Sequence, residues 1–88
     1  MTFTWTKHSP TALEYVSDDL CACVWCERVE DVTLVNWDVS GPRGRGTITG
    51  GSVPISPLST EQRLQIARRL AEVYIAGFRR GRDGRPRL

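Results

Sequence analysis

The 88-residue sequence predicts an α+β fold, in which an antiparallel meander of four to five strands is followed by one long C-terminal helix packed on the sheet. Two observations predict this order. As far as position 58, apolar and polar residues alternate in short runs separated by turn residues. Over positions 59–81 the apolar residues recur instead with helical spacing. We expect a single α+β domain at 1–81 and a flexible basic tail at 82–88.

The first two predicted strands are short. Positions 2–7 alternate threonine with aromatic residues, which is typical of a half-buried strand. Positions 8–10, His-Ser-Pro, are expected to form a turn. Positions 11–16 alternate again, with Leu13 and Tyr15 on one face of the strand.

The third predicted strand, positions 20–29, is apolar on both faces. Cys21, Cys23 and Trp25 share one face, and the residues between them share the other. A strand of this kind is expected at the centre of a sheet or covered on both sides. The fourth, positions 32–40, places Val35, Trp37 and Val39 on one face.

The Gly-rich loop 41–46 connects the fourth strand to a short fifth one at 47–49, and Arg43 and Arg45 lie at its tip. A basic hairpin tip of this kind can track phosphates, although an ordinary turn with soluble arginines is the simpler interpretation. Positions 52–58 contain two prolines and are expected to form an extended connector or an edge strand.

The predicted helix has a start, an apolar side and an end. Ser59 and Gln62 fit a capping box at its start. Gly81 is expected to end it in a left-handed conformation. Its apolar arc covers about 200° of the helical wheel, which is more than one neighbouring layer needs. Arg63 intrudes on this arc and is expected to extend into solvent from the first turn.

Charge is unevenly distributed along the chain. Positions 1–62 hold four basic and eight acidic residues, for a formal charge of −4, whereas positions 63–88 hold eight arginines and two acidic residues, for +6. Two arginine ridges are predicted on the exposed side of the helix. Six arginines are therefore candidate partner-binding residues: Arg43, Arg45, Arg68, Arg69, Arg79 and Arg80. Solvated helix faces are commonly charged without any binding role.

The three cysteines do not match a metal motif. Cys21 and Cys23 point to one face of their strand and Cys26 to the other, and a zinc site normally requires four ligands. Buried free cysteines usually act as small apolar residues. His8 is the only histidine, and no hydrolase signature surrounds it. We therefore expect no catalytic residues, no metal and no cofactor.

These patterns favour a small non-enzymatic protein-interaction module, of the accessory or phage type, that binds and modulates a larger protein partner. It is expected to be a homodimer, with Tyr74, Ile75 and Phe78 at the interface. The alternative is a nucleic-acid-binding protein that places its arginines on phosphates. No apolar run could span a bilayer and no secretion signal is evident, so a cytoplasmic location without membrane contact is expected. No small-molecule substrate is expected.

Overall fold

The computed structural model describes residues 3–53 and 57–84 and confirms the predicted α+β fold. Five antiparallel strands form one sheet in the order β1-β2-β3-β4-β5, and a single helix, α1, packs on one face of it. The strands are β1 Thr6–Ser9, β2 Ala12–Val16, β3 Cys21–Val29, β4 Val32–Ser40 and β5 Thr47–Val53, and the helix is α1 Thr60–Gly84.

The β3–β4 hairpin forms the middle of the sheet. Its nine-residue strands are joined through the turn at Glu30 and Asp31, with Val29 opposite Val32. Glu30 adopts a φ of 56°, a left-handed conformation that tight two-residue hairpins require. The prediction that the third strand is central is confirmed. The helix, however, covers only one face of it.

The core lies between that face and α1. Small residues on the helix, Ala67 and Ala71, are fully buried and allow the helix backbone to approach the sheet closely. Ile75, also fully buried, follows on the same side of the helix. The sheet contributes the alternate residues of the strands: Tyr15, Ala22, Val24, Val35, Val39 and Val53. The alternation predicted for β2 and β4 therefore matches the core, whereas β3, predicted to be apolar on both faces, turns Ala22 and Val24 to α1.

The helix begins as predicted and ends later than predicted. The Ser59 backbone N–H donates to Gln62 Oε1 at 2.9 Å, and the Gln62 backbone N–H donates to Ser59 Oγ at 3.1 Å, which completes the capping box. The predicted end at Gly81 is wrong, because the helix continues to Gly84. A single glycine inside a helix costs only about 1 kcal/mol relative to alanine. The rest of the predicted tail, 85–88, lies outside the described residues.

The first strand begins later than predicted. It comprises Thr6–Ser9, so His8 lies in a strand and the turn follows at positions 10–11. Trp5 and Phe3 precede the strand, and their rings pack on Tyr15 at centroid distances of 5.9 and 5.2 Å. Position 2 lies outside the described residues.

The fifth strand is longer than predicted, since Gly50 and Gly51 do not end it. Both glycines pair with β4 and bring β5 close to Trp37. A Cβ at Gly50 would lie 2.8 Å from the Trp37 carbonyl oxygen, and a Cβ at Gly51 would lie 3.3 Å from the indole nitrogen. The glycines therefore permit this close approach. The connector prediction at 54–56 lies outside the described residues.

The position of Arg63 also differs from the prediction. It does not extend into solvent: only 7% of its surface is exposed, and Nη1 donates to the Thr33 carbonyl at 2.8 Å. Its stem covers the end of the core beside β4.

Candidate interaction surfaces

One side of α1 is apolar and uncovered. Ile66, Leu70 and Val73 are 37%, 42% and 57% exposed. Gly77 and Gly81 continue the same line on the helix, and a Cβ added to either would meet nothing within 4 Å. At 100° per residue these five residues fall within an arc of about 80°. We call Ile66, Leu70, Val73, Gly77 and Gly81 the apolar stripe.

The apolar stripe exists because the helix has a wider apolar arc than the sheet can cover. The buried residues Ala67, Ala71 and Ile75 occupy the part of the arc that faces the sheet. In the part of the chain that the structure describes, the stripe on the flank of this arc stays exposed. Large exposed apolar groups in a continuous line are typical of interaction sites.

The three predicted dimer residues occupy different environments. Phe78 is 39% exposed beside the apolar stripe, and its ring stacks on that of half-buried Tyr74 at a centroid distance of 6.4 Å. Ile75 is fully buried in the core, so its assignment to an exposed surface is wrong. Periodicity defines a wide apolar arc but does not show which part of that arc meets the sheet.

Arg79, one of the predicted partner-binding arginines, instead connects α1 to the turn between β2 and β3. It makes a bidentate contact with Asp19, with Nε to Oδ2 at 2.9 Å and Nη2 to Oδ1 at 2.7 Å. Nη2 also donates to Ser17 Oγ at 2.9 Å and Tyr15 Oη at 3.1 Å. Arg82 adds a contact to Asp19 at 3.2 Å.

This network shifts the pKa of both charged partners. Hydrogen bonds from Arg79, and then from Ser17, hold the pKa of the Asp19 carboxyl well below its usual range. The hydrogen bond to Asp19 raises the pKa of Arg79 further above its ordinary value. The Arg79 side chain is only 14% exposed, so the arginine that was expected to bind a partner is held within the fold.

The other helix arginines divide between two sides. Arg68 lies over the Trp5 ring at 6.0 Å, and the Trp5 indole N–H donates to Glu72 Oε2 at 2.8 Å. Arg69 is 78% exposed in its side chain, 3.8 Å from Glu72 Oε1, and Arg80 is exposed. On the helical wheel Arg69 and Arg80 lie next to Val73, so they form a basic edge along the apolar stripe.

The Gly-rich loop forms a closed turn rather than a projecting arm. The Gly41 N–H donates to the carbonyls of Arg45 and Gly46 at 3.2 and 3.1 Å, and the 3₁₀ turn Pro42–Gly44 contacts β3. Arg43 and Arg45 are exposed on this turn. The predicted hairpin tip therefore carries two exposed arginines on a short, hydrogen-bonded loop.

A second surface, which the sequence interpretation missed, is the face of the sheet opposite α1. We call it the open face, and it carries Ala12, Glu14, Cys23, Trp25, Glu27, Leu34 and Asp38. Of these, all except Glu27 are half-buried. Its middle holds a shallow depression of about 300 Å³, bordered by His8, Glu14, Trp25 and Asp38. The signal was present in the alternation, which puts three acidic residues on the face that also holds Cys23 and Trp25.

Two carboxylates flank Cys23 on the open face. Glu14 is opposite it on β2 and Asp38 on β4. Burial, and then the charges of Asp38 and Glu14, raise the pKa of the Cys23 thiol, and burial raises the pKa of Asp38. A thiol held protonated is a poor nucleophile. Within the described residues, no ion pair joins either carboxylate to a cation.

Metal binding gains no support from this arrangement. Cys23 lies on the open face, whereas Cys26 packs beside the core on the helix face. Among residues 3–53 and 57–84, no three histidine, cysteine or acidic side chains come together as a metal site.

The only α-helix in these ranges, α1, lacks an apolar segment long enough to cross a membrane.

Comparison with known proteins finds no matching protein-family model, no matching curated protein and no matching solved structure.

Proposed function

We propose that this protein is a non-enzymatic interaction module of the accessory or phage type, which binds a protein partner through the apolar stripe of α1. The observation that carries the proposal is the exposure of Ile66, Leu70 and Val73, at 37–57%, on a helix whose sheet-facing residues Ala67, Ala71 and Ile75 are fully buried. The minimal partner is a second copy of the chain, which makes the protein a dimer or a larger assembly. Its three free cysteines fit a reducing, cytoplasmic location.

The stripe needs a complementary surface to bind with useful affinity. Burying an apolar side chain completely gives about 1.5–3 kcal/mol, and only 37–57% of the surface of these side chains is still exposed. Three such residues with Phe78 supply roughly 4 kcal/mol, which is comparable to the lowest estimates of the entropy lost on association. Charged or further apolar contacts must therefore accompany the stripe.

Sedimentation velocity across a wide concentration range tests this proposal. Val73→Asp places a charge at the centre of the apolar stripe, and we expect it to reduce self-association strongly while leaving the fold intact. Gln65→Asp is the matched control, because it adds the same charge to an exposed helix position outside the stripe. A wild-type chain that stays monomeric at every concentration would refute the dimer.

Nucleic-acid binding remains the second candidate, and four exposed arginines favour it: Arg43, Arg45, Arg69 and Arg80. The contact of Arg79 with Asp19 weakens this candidate, because Arg79 is one of the arginines predicted to bind phosphates and is held within the fold. Fluorescence anisotropy with labelled DNA and RNA across salt concentrations tests it. This candidate would be supported if the logarithm of the binding constant falls linearly with the logarithm of the salt concentration, and if the slope becomes shallower in an Arg69→Ala/Arg80→Ala variant.

A further inference from the structure

We infer that the apolar stripe of one copy docks on the open face of the sheet of a second copy, in a head-to-tail contact. This inference rests on the proposed function and names the complementary surface that the stripe requires. The occupant of each surface is therefore another molecule of the same chain.

The two surfaces match in their apolar character. The open face presents Trp25, Cys23 and Leu34, all half-buried and on the side of the sheet opposite α1. An apolar sheet face is normally covered by a second layer. On its other face the sheet already packs against α1, so a helix from a second copy would repeat that arrangement and complete a three-layer structure. The apolar stripe, with Val73 most exposed, supplies the required helix side.

The two surfaces also match in charge. Arg69 and Arg80 form the basic edge of the apolar stripe, and Glu14, Glu27 and Asp38 are spread over the open face. Asp38 is half-buried, burial raises its pKa, and no ion pair joins it to a cation within the described residues. An arginine brought to it would supply that neighbour.

Two-fold symmetric alternatives bring no opposite charges together. In an antiparallel pair of helices related by a two-fold axis, the edge with Arg69 and Arg80 meets the same edge of the other copy. In a parallel pair, that edge meets the side with Tyr74 and Phe78. Two open faces placed together oppose carboxylates to carboxylates, which is destabilising. The head-to-tail contact instead joins the acidic open face of one copy to the basic edge of another.

A head-to-tail contact leaves one stripe and one open face unused at the ends of each assembly. The assembly therefore grows into an open filament of copies, or stops growing when a ring closes. This property separates the inference from a symmetric dimer. It also allows two different blocked variants to complement each other.

The test uses two variants of the full chain, each blocked on one surface. Val73→Asp blocks the apolar stripe and leaves the open face intact, whereas Glu14→Lys/Asp38→Lys reverses the charge of the open face and leaves the stripe intact. Each variant alone should lose self-association, by about a hundredfold for the charge reversal. Mixed in equal amounts, they should form a 1:1 complex that does not grow. Circular dichroism and thermal unfolding check that each variant is folded.

The outcomes separate the inference from the proposed function. If Val73→Asp abolishes self-association but Glu14→Lys/Asp38→Lys does not, the stripe binds another stripe and the inference is wrong while the proposed function holds. If neither surface matters, or wild type is monomeric, both are wrong. A charge-exchanged chain, with Arg69→Glu and Arg80→Glu added to Glu14→Lys/Asp38→Lys, should recover self-association. Failure to recover in a folded chain would contradict the assigned charge pairs.

Discussion

The contact of Arg79 with Asp19 should contribute strongly to the stability of the fold, and replacement of Arg79 by methionine tests this. The substitution keeps an unbranched apolar side chain and removes the bidentate contact at 2.7 and 2.9 Å. It also removes the hydrogen bonds to Ser17 and Tyr15 and leaves Asp19 with the more distant Arg82.

The magnitude follows from the exposure of the pair, which is 14% for Arg79 and 26% for Asp19. Exposed ion pairs contribute about 0.2–1 kcal/mol, whereas removing one partner of a fully buried pair costs about 3–5 kcal/mol. The partly covered pair lies between these limits, so we expect Arg79→Met to lower the free energy of unfolding by about 2 kcal/mol. Arg80→Met, one residue along and exposed, should change it by less than about 0.5 kcal/mol.

The contribution of this contact should depend on pH with a definite sign. The folded-state pKa of Asp19 lies well below that of an unfolded aspartate, about 3.9. Its stabilisation is therefore complete above that value and is lost progressively as the pH falls below it. The difference in stability between wild type and Asp19→Asn should be large at pH 7 and should shrink steadily below about pH 4.

Urea unfolding followed by tryptophan fluorescence, at low protein concentration, measures these differences. Equal effects of Arg79→Met and Arg80→Met would refute the assigned role of Arg79. A stability difference for Asp19→Asn that does not change between neutral and acidic pH would refute the pKa assignment.

Three further predictions concern separate parts of the molecule. Gly50→Ala should destabilise the fold by about 1–3 kcal/mol, because its Cβ would lie 2.8 Å from a β4 carbonyl. Gly77→Ala, with open space around the new Cβ, should instead raise stability by about 0.5–1 kcal/mol. Equal effects of the two substitutions in urea unfolding would contradict this. Glu72→Leu removes the acceptor of the Trp5 indole and should cost about 1–2 kcal/mol. Trp5→Phe should then cost less in the Glu72→Leu chain than in wild type, because only its packing on Tyr15 is left to lose; full additivity would contradict the contact. Cys23 should react with iodoacetamide at about pH 8 more slowly than a free cysteine, because burial and then the charges of Asp38 and Glu14 raise its pKa and reduce the thiolate. Equal rates would contradict the raised pKa.

Local patterns in the sequence determined the elements and their faces. Alternation placed Val35 and Val39 on the core side of β4, and the Ser59 and Gln62 side chains defined the first turn of α1, as the structure shows. These features depend on residues within a few positions of one another, so the periodicity of apolar residues and the capping chemistry are sufficient to predict them.

The candidate surfaces depended on tertiary structure. Arg79 and Arg80 are adjacent in the sequence and have the same side chain, yet only the fold brings Asp19, sixty positions away, to Arg79. The wide apolar arc of α1 contained both Ile75 and Val73, and the position of the sheet decided that the first is buried and the second exposed.

The same reason explains the corrections at the ends of the sheet. Trp5, which precedes β1, contacts Tyr15 and Glu72 from distant parts of the chain, and β5 extends through Gly50, where the missing Cβ permits close approach to Trp37. The sequence by itself determined which residues alternate, where the helix starts and how charge divides between the two parts of the chain. Only the packing of distant segments decided which arginines and apolar side chains remain exposed, because the sheet covers just one side of the helix.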